Sequence, residues 1–554
     1  VVVVGYGTQK KVNLTGAVGI ASGERLDNRA ISSAAEGLQG VIPNLNVTVR
    51  NGDPSVKPTI NVRGFNSING GSPLILVDGV PMDINTINPE DIKSVSVLKD
   101  ASAGAVYGAR AAFGVILIET KKAQAGKIRV SVGNQVSMST SIFNSEPETD
   151  PYQFVLAQNI AVSRNSVTPL WDADYVAGTK AYSENPATAR QWANFGGTLR
   201  FYGNNNYLKD LLSDNSPTIQ HELSVSGGSD KAKLYASLGY LNKDGYLRVG
   251  NDAYKRYNVL MKGEFKANNW LSLDEKIVLN SQYSDKAHDY STDVSVNNIT
   301  RANPMQPIRF PDLEFYLTPG DRDRFSPYIG QYFTGLNALP YLEKGGRTTF
   351  STIDLWLTQG ITLSPLKGLK IRGEFSINSY TRIYQDMQSK VEQLNVNITG
   401  PMVTLGYSAD DWIETGNTNN KYAVLNAYAE YEASGLGNHS LSIMGGVNQE
   451  NGYYRLVSAK NRGLISPTLN DIGATIGSQT ATGNQSEVAL LGMFYRINYD
   501  FKKRYLLELN GRYDGSSRFP KASRYGFFPS FSAGWRFSEE KFMQGTQSGI
   551  DNIK

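Results

Sequence analysis

The sequence predicts a small α/β domain followed by an antiparallel transmembrane β-barrel. Three observations carry this prediction. Short apolar runs separated by turn residues fill the chain up to Lys122, strict two-residue alternation takes over after Lys127, and the connections between the alternating segments are long and short by turns.

The 554 residues are too many for one ordinary domain and suit a small unit joined to a large one. No apolar run approaches the ~18 residues of a membrane-spanning helix, which excludes a helical membrane protein. The mean hydropathy of -0.34 does not exclude a barrel, because only alternate residues of its strands meet lipid. Glycine (54) and tyrosine (31) are abundant, as tight turns, curved sheet and interfacial aromatic girdles require. With no cysteine, neither a disulfide framework nor a thiolate metal site can form. The formal charge of +4 comes from 55 basic and 51 acidic residues without a basic block, so nucleic acid is not an expected partner. The chain starts at Val1 with neither Met nor a signal-peptide pattern, and a processed product or fragment is expected.

In chain order, 1–20 is an N-terminal segment, 21–126 the small domain and 127–554 the strand-rich part. The apolar runs of the small domain are Leu45 to Val49, Thr59 to Val62, Leu74 to Val77, Val95 to Leu98 and Val115 to Ile118, each bounded by Gly, Pro, Asn or Asp. NPEDIKSVSVLKD is a helical turn feeding a strand, and ASAGAVYGARA is a compact helix or turn of small residues. Beyond Lys127 the alternation is clearest where Leu491, Met493, Tyr495, Ile497, Tyr499 and Phe501 interleave with Gly492, Phe494, Arg496, Asn498 and Asp500. Strands are expected near 128–138, 217–226, 232–242, 254–266, 271–285, 348–363, 369–384, 420–432, 439–453, 487–500, 505–514 and 525–537. A soluble sandwich has no reason to alternate long and short connections, so the parity favours a membrane barrel.

The stretch from Asn61 to Lys122, with NVRGFNSINGGSPLILVDGVP and YGARAAFGVILIETKK, resembles the plug domain of TonB-dependent outer-membrane transporters. The opening VVVVGYGTQKK resembles the start of their SusC-like branch. The resemblance implies a plug occluding a barrel of ~22 strands, of which this chain supplies about twelve, so the barrel is expected to be incomplete here. It also implies a cell outer-membrane location with a periplasmic N-terminus. On that orientation the insertions at about 139–216, 286–347, 385–418 and 454–483 are extracellular, and DPYQFVLAQNIAV in the first suits a short helix. The implied activity is TonB-dependent import of a large nutrient, an oligosaccharide or peptide. The implied partners are TonB of the TonB-ExbB-ExbD complex, a SusD-like surface lipoprotein and outer-membrane lipid. No cofactor is implied.

Val1, Val2, Val3, Val4, Gly5 and Tyr6 are the candidate TonB box: β-branched residues suit capture as an added strand, and the alternative is a first plug strand. Arg63 and Gly64 of VRGF, and Asp78 and Gly79 of VDGVP, match plug motifs; Asp78-Gly79 is also a hairpin-turn signal, and Arg63 is placed to pair with wall carboxylates. Tyr107 and Gly108 belong to the closing strand motif. Trp171, Tyr175, Trp192, Tyr328, Tyr332 and Trp412, in the long loops, are candidates for stacking on sugar rings, with loop packing as the other reading. His221, His288 and His439 lie far apart without metal-ligand spacing, and no nucleophile elbow, HExxH or Walker spacing occurs, so an enzyme is not expected. The rival reading is a structural or adhesive barrel with a fixed stopper, which would not bind TonB.

Overall fold

The computed structural model describes residues 2–4, 7–9, 17–27, 29–49, 52–64, 71–100, 104–140, 146–164, 168–195, 198–288, 301–312, 326–333, 337–395, 403–406 and 411–543. At the N-terminus β1 (Val2–Val4) pairs antiparallel with β2 (Gly7–Gln9) as a separate hairpin. The small domain then builds β3 (Val18–Ser22), α1 (Ala34–Gly37), β4 (Leu45–Thr48), β5 (Thr59–Val62), β6 (Leu74–Val77), β7 (Val80–Pro81), β8 (Ile92–Leu98) and β9 (Val115–Thr120). Its main sheet has the order β3-β8-β9-β6-β7, with β6 and β9 parallel, and β4 pairs with β5 separately.

Local chemistry explains these elements. Ser33 caps α1 by accepting the Glu36 N–H, and Glu36 in return accepts the Ser32 N–H at 2.7 Å. The 3₁₀ turn Pro89–Asp91 starts with proline behind an Asn88 cap and feeds β8. At the β6–β7 hairpin Asp78 and Gly79 both have positive φ, 49° and 87°, the conformation a two-residue turn needs to match strand twist. Val77, Val95, Val97, Ile116 and Ile118 form the buried centre of the domain.

The large part is one sheet of twelve strands, every neighbouring pair antiparallel. It opens with β10 (Gly126–Ser139). After the loop hairpin β11 (Trp192–Phe195) and β12 (Thr198–Phe201) it continues with β13 (Ser216–Gly228), β14 (Ala232–Asp244), β15 (Ala253–Lys266), β16 (Leu271–Ala287), β17 (Arg347–Leu366) and β18 (Leu369–Gln388). The small loop pair β19 (Glu392–Asn395) and β20 (Val403–Gly406) precedes β21 (Trp412–Ala433), β22 (His439–Arg462), β23 (Gln479–Phe501), β24 (Tyr505–Ser516) and β25 (Tyr525–Trp535). The outer strands β10 and β25 do not pair with each other, so the sheet is not closed.

This sheet is inside out by the standard of a soluble sandwich. Leu491, Met493 and Tyr495 of β23 are exposed while Gly492, Phe494 and Arg496 are buried, Arg496 to 2%. The other strands repeat the pattern, with Leu234, Met261, Ile361, Phe375 and Phe531 exposed and Asn258, Lys276, Ser376 and Asn448 buried. Contiguous exposed apolar surface around a polar interior is what a hydrocarbon solvent selects.

All twelve expected strands are present. Three overrun their expected bounds by eight or nine residues, because β21 begins at Trp412, β22 ends at Arg462 and β23 begins at Gln479. Those extensions, such as ETGNTNN and QTATGNQ, carry polar residues on both faces, so the ladder continues where alternation gives no signal. β3 was also not expected, being short and carrying Gly19.

On the long-connection side the expected helix is α2 (Pro151–Ser163), joined by α3 (Ala173–Glu184), α4 (Tyr207–Leu211) and α5 (Leu339–Lys344). Three different connections pack together there: Trp192 and Leu199, Phe310 and Phe333, and Leu394 form one buried cluster.

Candidate functional site: the plug and its wall

The small domain sits against the polar face of the sheet, and ionic and hydrogen-bonded groups surround an apolar contact made by Leu260, Val278 and Trp356. In the β15–β16 register Lys262 stands directly opposite Lys276, an arrangement that like charges disfavour. Asp78, presented by the β6–β7 turn, resolves it: its Oδ2 lies 2.8 Å from Lys262 Nζ and 3.7 Å from Lys276 Nζ. The same carboxylate accepts the Thr120 N–H at 3.0 Å and its hydroxyl at 2.7 Å. Burial opposes ionisation of Asp78, but the two lysines and the Thr120 bonds hold its carboxyl well below the usual range.

Around this centre the wall reaches repeatedly for plug backbone. Arg256 and Asn258 donate to the carbonyls of Asn85 and Thr86, at 3.1 and 2.6 Å, and Asn280 donates to Thr86 at 2.9 Å. Lys286 pairs with Asp53 at 2.6 Å, the Asp53 side chain being fully buried. Tyr235 donates to Asp91 at 2.9 Å, and Asn88 donates to Glu222. Burial raises the Asp91 carboxyl, against the Ser237 and Tyr235 bonds that lower it. Glu90 is raised too, by burial and then by neighbouring Asp27. On the far flank Arg110 pairs with Glu450, which also accepts from Tyr422, and Arg512 donates to the Val106 carbonyl at 3.0 Å.

The expected plug residues divide between turn chemistry and docking. Asp78 and Gly79 form the hairpin, and Asp78 is in addition the ionic centre of the interface. Tyr107 is buried with Leu76, Leu98, Val115 and Leu117. Gly108, at φ 59° and ψ -140°, lies where a Cβ would run into the Asp514 carboxylate, so close approach to the wall and backbone conformation both demand glycine. Arg63 and Gly64 have φ of 65° and 81°. Arg63 does not meet a wall carboxylate among the described residues: it is exposed beside a cavity of about 430 Å³, where the wall offers Phe527, Phe528, Pro529 and Ser530.

Val2, Val3 and Val4 form β1, while Val1, Gly5 and Tyr6 lie outside the described residues, as does Phe65 of the VRGF motif. β1 pairs with β2 rather than joining the main plug sheet. A Cβ added at Gly7 would lie 3.3 Å from Met444 and 3.8 Å from Glu430, placing the hairpin near the short-turn end of β21 and β22.

The loop aromatics are packed to different degrees. Trp192 and Tyr332 are buried, and Arg309 lies 4.4 Å over the Tyr332 ring. Trp171 donates to Gln158 at 2.9 Å and tilts against Tyr175, whose hydroxyl donates to the Phe201 carbonyl. Burial pushes the Tyr175 phenol up to about 12. Tyr328 packs on the Trp192 cluster, and Trp412 carries Lys460 3.2 Å over its face. The three histidines stay apart: His221 contacts Asn134, His288 contacts Asp386, and His439 contacts Tyr499. Among the described residues no cluster of His, Asp and Glu could hold a metal ion.

Sequence reasoning missed Lys262, Lys276, Lys286 and Glu450. The available signal was phase: each falls on the polar set of its strand, but pairing it with a plug residue needs the fold.

Residues 10–115 match the TonB-dependent Receptor Plug Domain family. TonB-dependent receptor P26 of Formosa agariphila is 29% identical over 564 residues, covering 99% of this chain and 51% of that protein. TonB-dependent receptor SusC of Bacteroides thetaiotaomicron is 27% identical over 578 residues, covering 98% and 51%. The chain therefore spans about half the length of the curated relatives it matches. The RagAB peptide importer in its open-open state has a similar fold, with a TM-score of 0.75 at 23% identity over 98% of this chain and 59% of that one.

Proposed function

We propose, from a chain that is SusC-like and carries a TonB-dependent receptor plug, that the protein imports a large nutrient across the outer membrane by TonB-driven displacement of that plug. The observation that carries this reading is a polar, ion-paired plug held against the inner face of a sheet whose outer face is apolar. Such an interface holds the plug largely by ion pairs and hydrogen bonds, with Tyr235, Leu260, Val278 and Trp356 as the wall's contribution to the plug's apolar core. Water entering as the plug moves can take over the hydrogen bonds of those groups that border the opening.

In this reading the long connections face outward, the short turns and the N-terminal hairpin face the periplasm, and β1 is the segment that TonB captures as an added strand. A SusD-like lipoprotein covers the outer mouth, and the cargo is an oligosaccharide or peptide. Partly exposed loop aromatics such as Trp171 support a sugar platform, and one solved protein of similar fold is a peptide importer.

The test is uptake by cells carrying the protein in its native outer membrane, with and without deletion of Val1 to Gly7, using a cargo identified by copurification. Loss of uptake with cargo binding retained is expected. Unchanged uptake would refute the coupling role and favour a passive or structural barrel.

A further inference from the structure

The plug is bonded to its wall unevenly. Among the described residues, β13 to β16 supply Glu222, Tyr235, Arg256, Asn280 and Lys286 to it, and β22 and β24 supply Glu450 and Arg512. Among the same residues no hydrogen bond or ion pair joins the plug to β17 or β18. A cavity of about 390 Å³ separates them instead, with Pro81 and Asp83 on the plug side and Asp354, Asn378 and Tyr380 on the wall. Asp354 and Asn378 bond to each other, and Asp83 bonds to Lys57, so each side of the gap is satisfied within itself.

Towards the short-turn end from this cavity, one large apolar side chain bridges to the plug. Trp356 is buried in the plug's own core cluster, its ring 6.1 Å from that of Tyr422 and edge-on to it. Beyond Trp356 the facing wall residues Thr358 and Ser376 are hydrogen-bonded to each other at 2.9 Å and ask nothing of the plug.

Moving the plug away from β13–β16 would strand buried charges and carbonyls, each costly to leave unmet in a closed lumen. Separation at β17–β18 breaks van der Waals contact around Trp356 and a longer-range attraction between Lys57 and Asp354, but no hydrogen bond or ion pair among the described residues. We propose, building on the import reading above, that the plug parts from the wall along β17–β18: the cavity is the entrance of the path, Trp356 is the side chain that closes it, and β13–β16 remain the bonded hinge side.

These 554 residues contain no cysteine, so each thiol in this part of the protein is an introduced one. An Asp83→Cys, Asn378→Cys pair, bridged by a short bifunctional methanethiosulfonate, spans the cavity; an Asp53→Cys, Lys286→Cys disulfide spans the hinge side. Each bridged protein is compared with its own reduced form: the first bridge should cut energised uptake at least tenfold, and the second should change it less than twofold. Equal block by both would mean that the plug leaves as one body, and block by neither would place the path elsewhere; either result overturns the proposal. A second arm does not depend on uptake. In planar bilayers the full-length protein carrying Trp356→Ala should open a steady conductance that Trp356→Phe does not, with folding of both checked by heat-modifiable gel mobility. A Trp356→Ala protein as tight as the parent would overturn the proposal. If the unmodified protein shows no energised uptake, the import reading falls, and the conductance arm still decides where the plug parts.

Discussion

Replacing Asp78 by Asn tests whether the plug is held by its ionic centre. Asn has nearly the same shape, tolerates the positive φ at this position, and its side-chain oxygen still accepts from Thr120. What is lost is the charge between Lys262 and Lys276, whose side chains are 11% and 8% exposed. Removing one partner of a buried pair costs about 3–5 kcal/mol, and the retained Thr120 bonds argue for about 3, close to two decades in an opening equilibrium. Amide hydrogen exchange of β6 and β9 in the purified protein should therefore accelerate about a hundredfold. Asp78→Asn combined with Lys276→Met, which removes the like-charge opposition, should recover most of that. The pH dependence has a defined sign. Because the folded carboxyl is depressed, its stabilisation is present above the unfolded value near 3.8 and is lost as pH falls through the lower folded value. The gap between parent and variant should thus stay level from pH 8 to pH 5 and narrow only in stronger acid. Exchange within threefold of the parent at neutral pH would refute the reasoning.

Glu90, raised by burial and by Asp27, works in the opposite direction, favouring the folded state below about 4.5 and losing that contribution as pH rises through its folded value. Glu90→Gln should raise the thermal midpoint at pH 8 and leave it unchanged near pH 4. Gly108→Ala must place a methyl against Asp514 in a conformation that only glycine adopts readily, and a cost above about 2 kcal/mol is expected, read as protease cleavage within 105–111. Val3→Pro removes the N–H of a residue that pairs with Thr8, and uptake should fall at least tenfold with cargo binding intact. Trp171→Ala should weaken glycan binding about tenfold if its ring is a sugar platform, a value taken from the ~1.4 kcal/mol of one good aromatic contact. Trp192→Ala should instead expose the loop cluster to proteolysis.

The architecture was legible to an unusual depth because alternation in a barrel strand is enforced by two solvents. Lipid on one face and a polar lumen on the other leave their period in runs such as Leu491 to Phe501, and the parity of loop lengths then orders the strands. Where neither solvent acts, as in Trp412–Asn419 and Gln479–Ser486, the ladder continues without a readable pattern. The hairpin at Asp78-Gly79 was legible for a different reason: only a few residues accept positive φ in sequence.

The docking chemistry was not legible, and Arg63 shows why. A charge in a plug motif states that a partner is needed somewhere; here the backbone turns Arg63 towards Phe527 and Pro529, while Asp78, which looked like a turn residue, meets two lysines about two hundred positions away. By itself the sequence determined the class of fold, the strand phases and the turns, because each of these is set by neighbours within a few residues and by the surrounding solvent. The tertiary structure alone decided which charges meet, which loop aromatics are buried, and that β17–β18 stands unbonded beside a cavity. Those outcomes depend on register and curvature summed over the whole sheet, and no local pattern encodes them.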